Sequence, residues 1–370
     1  MASAGAARGQ PGILHQYVRA LPFSNAFHRR DYKLVAFEYT SSTITRKKPH
    51  SLLFIGGLGD GFFTVPFVAD LAAALEPTDW SLFSVLLSSS YTAWGLGSLD
   101  KDAEEIAQCV QYVQKYKEAQ QGDQPGPRKI VIMGHSTGSQ DVLHYLYSPN
   151  PLPPNPVFDN GVKHITRPEV DGAILQAPVS DRQAVTEGQI NGTDKMSDNE
   201  FATTYLQLVD SAKRVTYAEH NTLDVLLPLS MTTKLGYPPD VPMSARRFLS
   251  LTSPDSPENP REDDLFSSDL TDKRLQETFG MIATRDLLRS KLLVLYSGND
   301  QYCPASVDKE ALLQRWKAAT NKIIRTVWDD EHSGVIPGAS HNLEGEGEAE
   351  ARRDLVSRVM GYLNDVEKLP

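Results

Sequence analysis

The chain alternates short apolar runs with longer stretches in which apolar residues return every three or four positions. Residues 34–39 and 51–55 read as strands, and the second, SLLFI, is nearly all apolar, as expected of a strand covered on both faces. Further strand-like runs occupy residues 82–87, 130–133, 173–175, 292–296 and 323–327. Between them, Leu99, Ala103, Ile106, Val110 and Val113 recur at helical spacing. They follow Ser98, a capping residue, and an acidic first turn of Asp100, Asp102, Glu104 and Glu105 that suits the positive end of a helix dipole. Leu355, Val356, Val359, Met360 and Leu363 repeat the pattern, and residues 311–316 predict another helix. Strand and helix in alternation imply an α/β fold: a mostly parallel central sheet with helices on both faces.

One interval breaks the alternation. Residues 181–290 contain polar helical stretches and two proline-rich segments, 237–242 and 253–264, but no convincing buried strand. More than a hundred residues are too many for a structureless loop inside a compact fold, so this interval is expected to be an inserted cap or lid. The predicted organisation is a first core part at 1–180, the cap at 181–290 and a second core part at 291–370, with about the first 12 residues a disordered tail. Residues 149–168, also proline-rich, read as a surface loop.

Composition narrows the function classes. A 40% hydrophobic and 23% charged chain of 370 residues is globular, and no stretch approaches the roughly 20 apolar residues of a membrane helix. The net charge of −10 argues against a general nucleic-acid binder; the runs Arg46, Lys47, Lys48 and Arg352, Arg353 are short and read as solvated surface. Cys109 and Cys303 alone make no disulfide framework, and the N-terminus lacks the apolar core of a secretion signal, which together point to the cytosol. Nine scattered histidines without an HExxH motif give no support for a metal, and no organic cofactor is expected.

The chemistry starts where the run at 130–133 stops. Gly134-His-Ser-Thr-Gly138 fits G-x-S-x-G, in which a sharp strand-to-helix turn presents a serine, here Ser136, at the carboxyl edge of the sheet. Serine is a weak nucleophile and requires a histidine base oriented by a carboxylate, in the chain order Ser, acid, His. Asp300, in the turn after the 292–296 strand, is the favoured acid, with Asp181 after the 173–175 strand as its rival. His341, on a glycine-containing loop before the last helix, is the favoured base over His332. The oxyanion donors are assigned to the N–H groups of Thr137 and of Leu58, with Gly59 next, in the loop GGLGDG. That loop lacks the Lys-Ser/Thr of a phosphate loop. Gly59, Tyr91 and Trp94 are candidates for the substrate pocket, with core packing the competing reading for the two aromatics.

Taken in order, GGLGDG, SSSYTAWG, GHSTGSQD, PVSDR and IPGASHN resemble a eukaryotic α/β-hydrolase family long labelled as of unknown function, whose fungal members include intracellular siderophore esterases. The resemblance covers nearly the whole chain and implies a triad of Ser136, Asp300 and His341 acting on esters of fusarinine-type hydroxamate siderophores. Any iron would then belong to the substrate. A carboxylesterase or lipase-like enzyme acting on another ester, and a binding protein that kept the fold without turnover, are the alternatives.

Overall fold

The computed structural model describes residues 11–19, 32–40, 47–121, 126–154, 164–186, 196–217, 224–321 and 325–370. These contain eight strands: β1 (Gly12–Arg19), β2 (Tyr32–Tyr39), β3 (His50–Ile55), β4 (Trp80–Leu86), β5 (Ile130–His135), β6 (Gly172–Gln176), β7 (Leu292–Ser297) and β8 (Gly334–Ile336). They form one sheet in the order β1-β2-β4-β3-β5-β6-β7-β8, parallel from β4 to β8, with β2 antiparallel to both of its neighbours. The helices are α1 (Phe67–Leu75), α2 (Leu99–Gln121), α3 (Thr137–Tyr147), α4 (Asp181–Thr186), α5 (Asp198–Thr216), α6 (Leu229–Thr232), α7 (Ala245–Thr252), α8 (Asp272–Glu277), α9 (Ile282–Arg285), α10 (Lys309–Thr320) and α11 (Ala349–Glu367).

The apolar strands are apolar throughout because alternate residues enter different cores. Leu53 and Ile55 of β3, Ile130 and Ile132 of β5, and Leu292 and Val294 of β7 pack with α2, α3 and α10. Leu52 and Phe54, Val131 and Met133, and Leu293 and Leu295 pack on the other face with α1 and α11. A third cluster joins Leu208 and Val209 of α5 with Phe248 and Leu251 of α7, Leu235, Tyr237 and Trp94. No named strand lies between β6 and β7 among the described residues. Within that interval the two halves differ: residues from Val185 to Leu251 build the third cluster, whereas Leu265, Phe266, Phe279 and Ile282 join the sheet core beside Trp316.

Several expectations are corrected. The final strand is β8, not 323–327. Residues 322–324 lie outside the described residues, and the segment after them makes a parallel bridge between Trp328 and Leu292, with Val327 and Trp328 buried as core residues. Strand β1 begins at Gly12, where the stretch read as a tail ends; residues 1–10, like Arg46, lie outside the described residues. The 149–168 excursion is tied back to its start by the buried Arg167, which donates to the carbonyls of Tyr145 in the last turn of α3 and of Ser148 and Pro149 just beyond it. Its residues 155–163 are not described.

Candidate active site

The turn between β5 and α3 is built by close approach. Ser136 adopts φ 55° and ψ −124°, a strained conformation for a residue with a side chain, costing about 1–3 kcal/mol. The flanking glycines make it possible: a Cβ at Gly134 would lie 2.0 Å from the Gly138 carbonyl oxygen, and one at Gly138 would lie 2.4 Å from that of Ile55. Ser136 N–H donates to Gln176 O at 3.0 Å, tying the turn to the end of β6. Gly57 passes so near that a Cβ there would meet the serine Cβ at 2.6 Å. The loop after β3 therefore lies directly against Ser136.

That loop is braced by residues the sequence reading passed over. The Asp60 carboxylate accepts from Gly57 N–H at 2.8 Å and from the Thr64 hydroxyl at 2.8 Å, while Asp60 N–H returns to Gly57 O at 3.1 Å. Tyr91 donates its N–H to Asp60 O and accepts from Phe62 N–H at 3.0 Å, so its exposed ring is a strut for the loop. Gly59 takes φ 80° at the tip. Leu58 and Thr137 line one small cavity of about 20 Å³, shared with Trp94, Asp102, Asp141 and Arg247. Trp94 is buried, packing on Tyr237 with ring centroids 5.8 Å apart.

Asp300 and His341 are brought together. Asp300 Oδ2 lies 2.7 Å from His341 Nδ1, both side chains are buried, and Tyr302 N–H donates to the other carboxylate oxygen at 3.0 Å. Gln301 accepts from His341 N–H at 3.0 Å, and the Tyr302 ring stands edge-on to the imidazole at 4.8 Å. The two rivals are engaged by other partners. His332 pairs with Asp329 at 3.1 Å and packs against Gly361 of α11. Asp181 accepts from Gln140 Nε2 at 2.6 Å, and burial pushes its carboxyl up to about 6.

His135, the variable position of the G-x-S-x-G turn, is a second histidine at the site, with its ring centroid 4.9 Å from that of His341. Burial and the neighbouring His341 lower it to about 4, and it is held by Gln176 and by Asn342 at 3.0 Å. It is therefore neutral at physiological pH and adds no positive charge to oppose a proton on His341. Among the described residues, two clusters have ligand atoms close enough to suit a cation, Asp100/His144/Glu262 and Glu331/His332/Asp365. In the first, both His144 nitrogens are already engaged, by Asp100 at 2.7 Å and Tyr147 at 3.1 Å.

A sheet of this order with a strained serine turn at its carboxyl edge defines the class: the chain is an α/β-hydrolase. It belongs to the family described as Protein of unknown function (DUF1749), whose model matches residues 5–364. It is 52% identical over 360 residues to the fusarinine C esterase sidJ of Aspergillus fumigatus, covering 97% of each chain. Its fold matches that of the siderophore hydrolase EstB from the same organism with a TM-score of 0.82 at 49% identity, over 98% of this chain and all of that one. An α/β-hydrolase fold protein of unknown function, 14% identical with a TM-score of 0.55 over 98% of this chain and all of that one, shares the fold alone.

Proposed function

We propose that this chain is a serine esterase that opens ester bonds of fusarinine-type hydroxamate siderophores, releasing iron ligands in the cytosol. The observation that carries the reading is the buried 2.7 Å contact between Asp300 and His341 at the carboxyl edge that also presents the strained Ser136. The similarity to a fusarinine C esterase and a siderophore hydrolase supports the substrate class. No described helix is long and apolar enough to cross a membrane.

In this mechanism Asp300 fixes the Nδ1–H tautomer of His341, leaving Nε2 to take the Ser136 proton as the serine attacks the ester carbonyl. Thr137 N–H, at the positive end of α3, and Leu58 N–H receive the oxyanion, a contribution of roughly 3–4 kcal/mol to the transition state. His341 then protonates the leaving alcohol, and water releases the acyl group by the same steps in reverse. The neutral His135 beside it favours the imidazolium, because no second cation competes. Residues 181–290 act as the cap over this edge and shape the pocket for the siderophore.

The test is mass-spectrometric detection of ester opening in a fusarinine-type siderophore, with and without iron. Ser136→Ala is expected to lose at least about 10⁴-fold in kcat, and Asp300→Asn far more than Asp181→Asn. Equal losses from the two aspartates would move the acid. Hydrolysis of simple esters without siderophore cleavage would keep the triad and discard the substrate.

A further inference from the structure

Two buried polar atoms where α3 and α4 meet the third cluster have no hydrogen-bond partner, and a half-buried carboxylate lies beside one of them. Gln140 lies one turn beyond Ser136 on α3 and is fully buried. Its Nε2 donates to Asp181 Oδ2 at 2.6 Å, but Oε1 of the same amide has no hydrogen-bond partner. Asp181 opens α4, five residues beyond the Gln176 carbonyl that receives Ser136 N–H, and is half-buried, with its Oδ2 taken by Gln140. The Tyr237 hydroxyl, on a side chain only 5% exposed, is the second buried atom without a partner. Burial and the Asp181 carboxylate together raise that hydroxyl far above its ordinary range, so the two groups sense each other, and Asp181 also sits within electrostatic reach of His341.

Buried polar groups are nearly always paired, and two orphans this close to a nucleophile call for a ligand. Its chemistry selects which one. A carboxylate oxygen and an amide oxygen accept only, and a tyrosine hydroxyl can accept; a primary ammonium has three donors and no acceptor. The ammonium charge also gives the half-buried Asp181 carboxylate an opposite charge at short range.

We propose that Gln140 Oε1, Asp181 Oδ1 and the Tyr237 hydroxyl form a subsite for an alkylammonium group of the substrate, beside the ester that Ser136 attacks. This rests on the esterase reading above. In it, Asp181 is the ion-pair partner, Gln140 holds the carboxylate in place while adding an acceptor, and Tyr237 closes the subsite from the cap side.

The probes are the 4-nitrophenyl esters of 6-aminohexanoic and heptanoic acids, which match in length and differ in a terminal ammonium against a methyl. The wild type is expected to prefer the cationic ester in kcat/KM, through KM. Asp181→Asn lowers that preference by roughly tenfold to a hundredfold, and Tyr237→Phe lowers it less. An unchanged ratio in Asp181→Asn, or an equal fall on both esters, overturns the subsite. Calorimetric titration with pentylammonium and with 1-pentanol separates binding from turnover. Asp181-dependent pentylammonium binding without hydrolysis of either ester would sink the esterase reading and keep the subsite. Hydrolysis of both esters with no such binding would do the reverse.

Discussion

The two ends of α2 bury charge in opposite ways. At its C-terminal end Lys117 donates to Glu38 at 2.8 Å and to Ser81 at 2.8 Å, while His15 and Tyr116 reach the other Glu38 oxygen at 3.1 and 3.0 Å. Burial alone would raise Glu38, but His15 and Lys117 outweigh it and hold the carboxyl at about 2. At the N-terminal end Asp102, beside Glu105, shares its surroundings with Asp141, Glu262 and Asp263; of the cations there, Lys101 and Arg247, the second is committed to both oxygens of Asp263 at 2.6 and 2.7 Å. There burial and the neighbouring acids push Asp102 up to about 7 and Glu262 up to about 8, and raise Asp141 well above the carboxylate range. The first end is a matched set that pins the β1–β2 edge pair to the helix. The second has more acid than base, and its Asp102, Asp141 and Arg247 line the cavity shared with Leu58 and Thr137, where the raised carboxyls favour their protonated forms.

The largest expected effect breaks the matched end. Lys117→Met leaves Glu38 buried without its main cation and is expected to cost about 3–5 kcal/mol in urea unfolding at pH 7. The pH dependence fixes the cause. Glu38 is depressed in the fold, so its stabilisation is complete above its unfolded value near 4.5 and is lost as pH falls towards about 2. The gap between variant and wild type should therefore narrow over that window. A gap independent of pH would mean that Lys117 acts through packing alone.

At the acid-rich end the sign reverses. Glu262 is raised in the fold, so its folded form keeps a proton that the unfolded chain gives up; the stability it supplies is complete below about 4.5 and is lost as pH rises through about 8. Glu262→Gln keeps an oxygen for Asp100 N–H, which the glutamate accepts at 3.1 Å, and removes the titration. It is expected to match wild type at pH 5 and to be more stable by about 2 kcal/mol at pH 8.5, read from unfolding curves at the two values. Equal stability at both would show that the cluster is neutralised by something other than protons.

The contrast also explains what was legible. The central strands could be read because each is apolar on both faces, and Ser136, Asp300 and His341 because each follows the end of an element with a local signal. Strand β1 was invisible because its inward residues include His15, whose burial depends on Glu38 and Tyr112, both distant in sequence. The acidic first turn of α2 read as a helix-dipole feature, and its burial could not be read: Asp102, Glu104 and Glu105 are all buried. Arg247 is 3% exposed because it pairs with Asp263, which comes from the proline-rich segment 253–264 and carries no local signal of that pairing. Strand β8, three residues long, is too short for any periodicity to mark. Apart from β8, the missing information is a tertiary charge partner, which no local pattern carries.

The smallest prediction asks how the acid-rich end is solvated. Thr137 and Asp141 stand one turn apart on α3, and Thr137 Oγ1 and Asp141 Oδ1 are both buried without a partner beside the cavity of about 20 Å³. That space is just large enough for one water molecule, and two facing polar oxygens with Arg247 and Asp102 nearby are the surroundings a buried water requires. Thr137→Val keeps the shape and replaces the hydroxyl with a methyl, so it removes one partner of such a water and should cost about 1 kcal/mol. The same change in a dry cavity would remove an unsatisfied hydroxyl and leave stability equal or higher. A loss in urea unfolding thus identifies a hydrated acid cluster, whose protons can exchange with solvent, and a gain identifies a dry one whose protons are locked in by the fold.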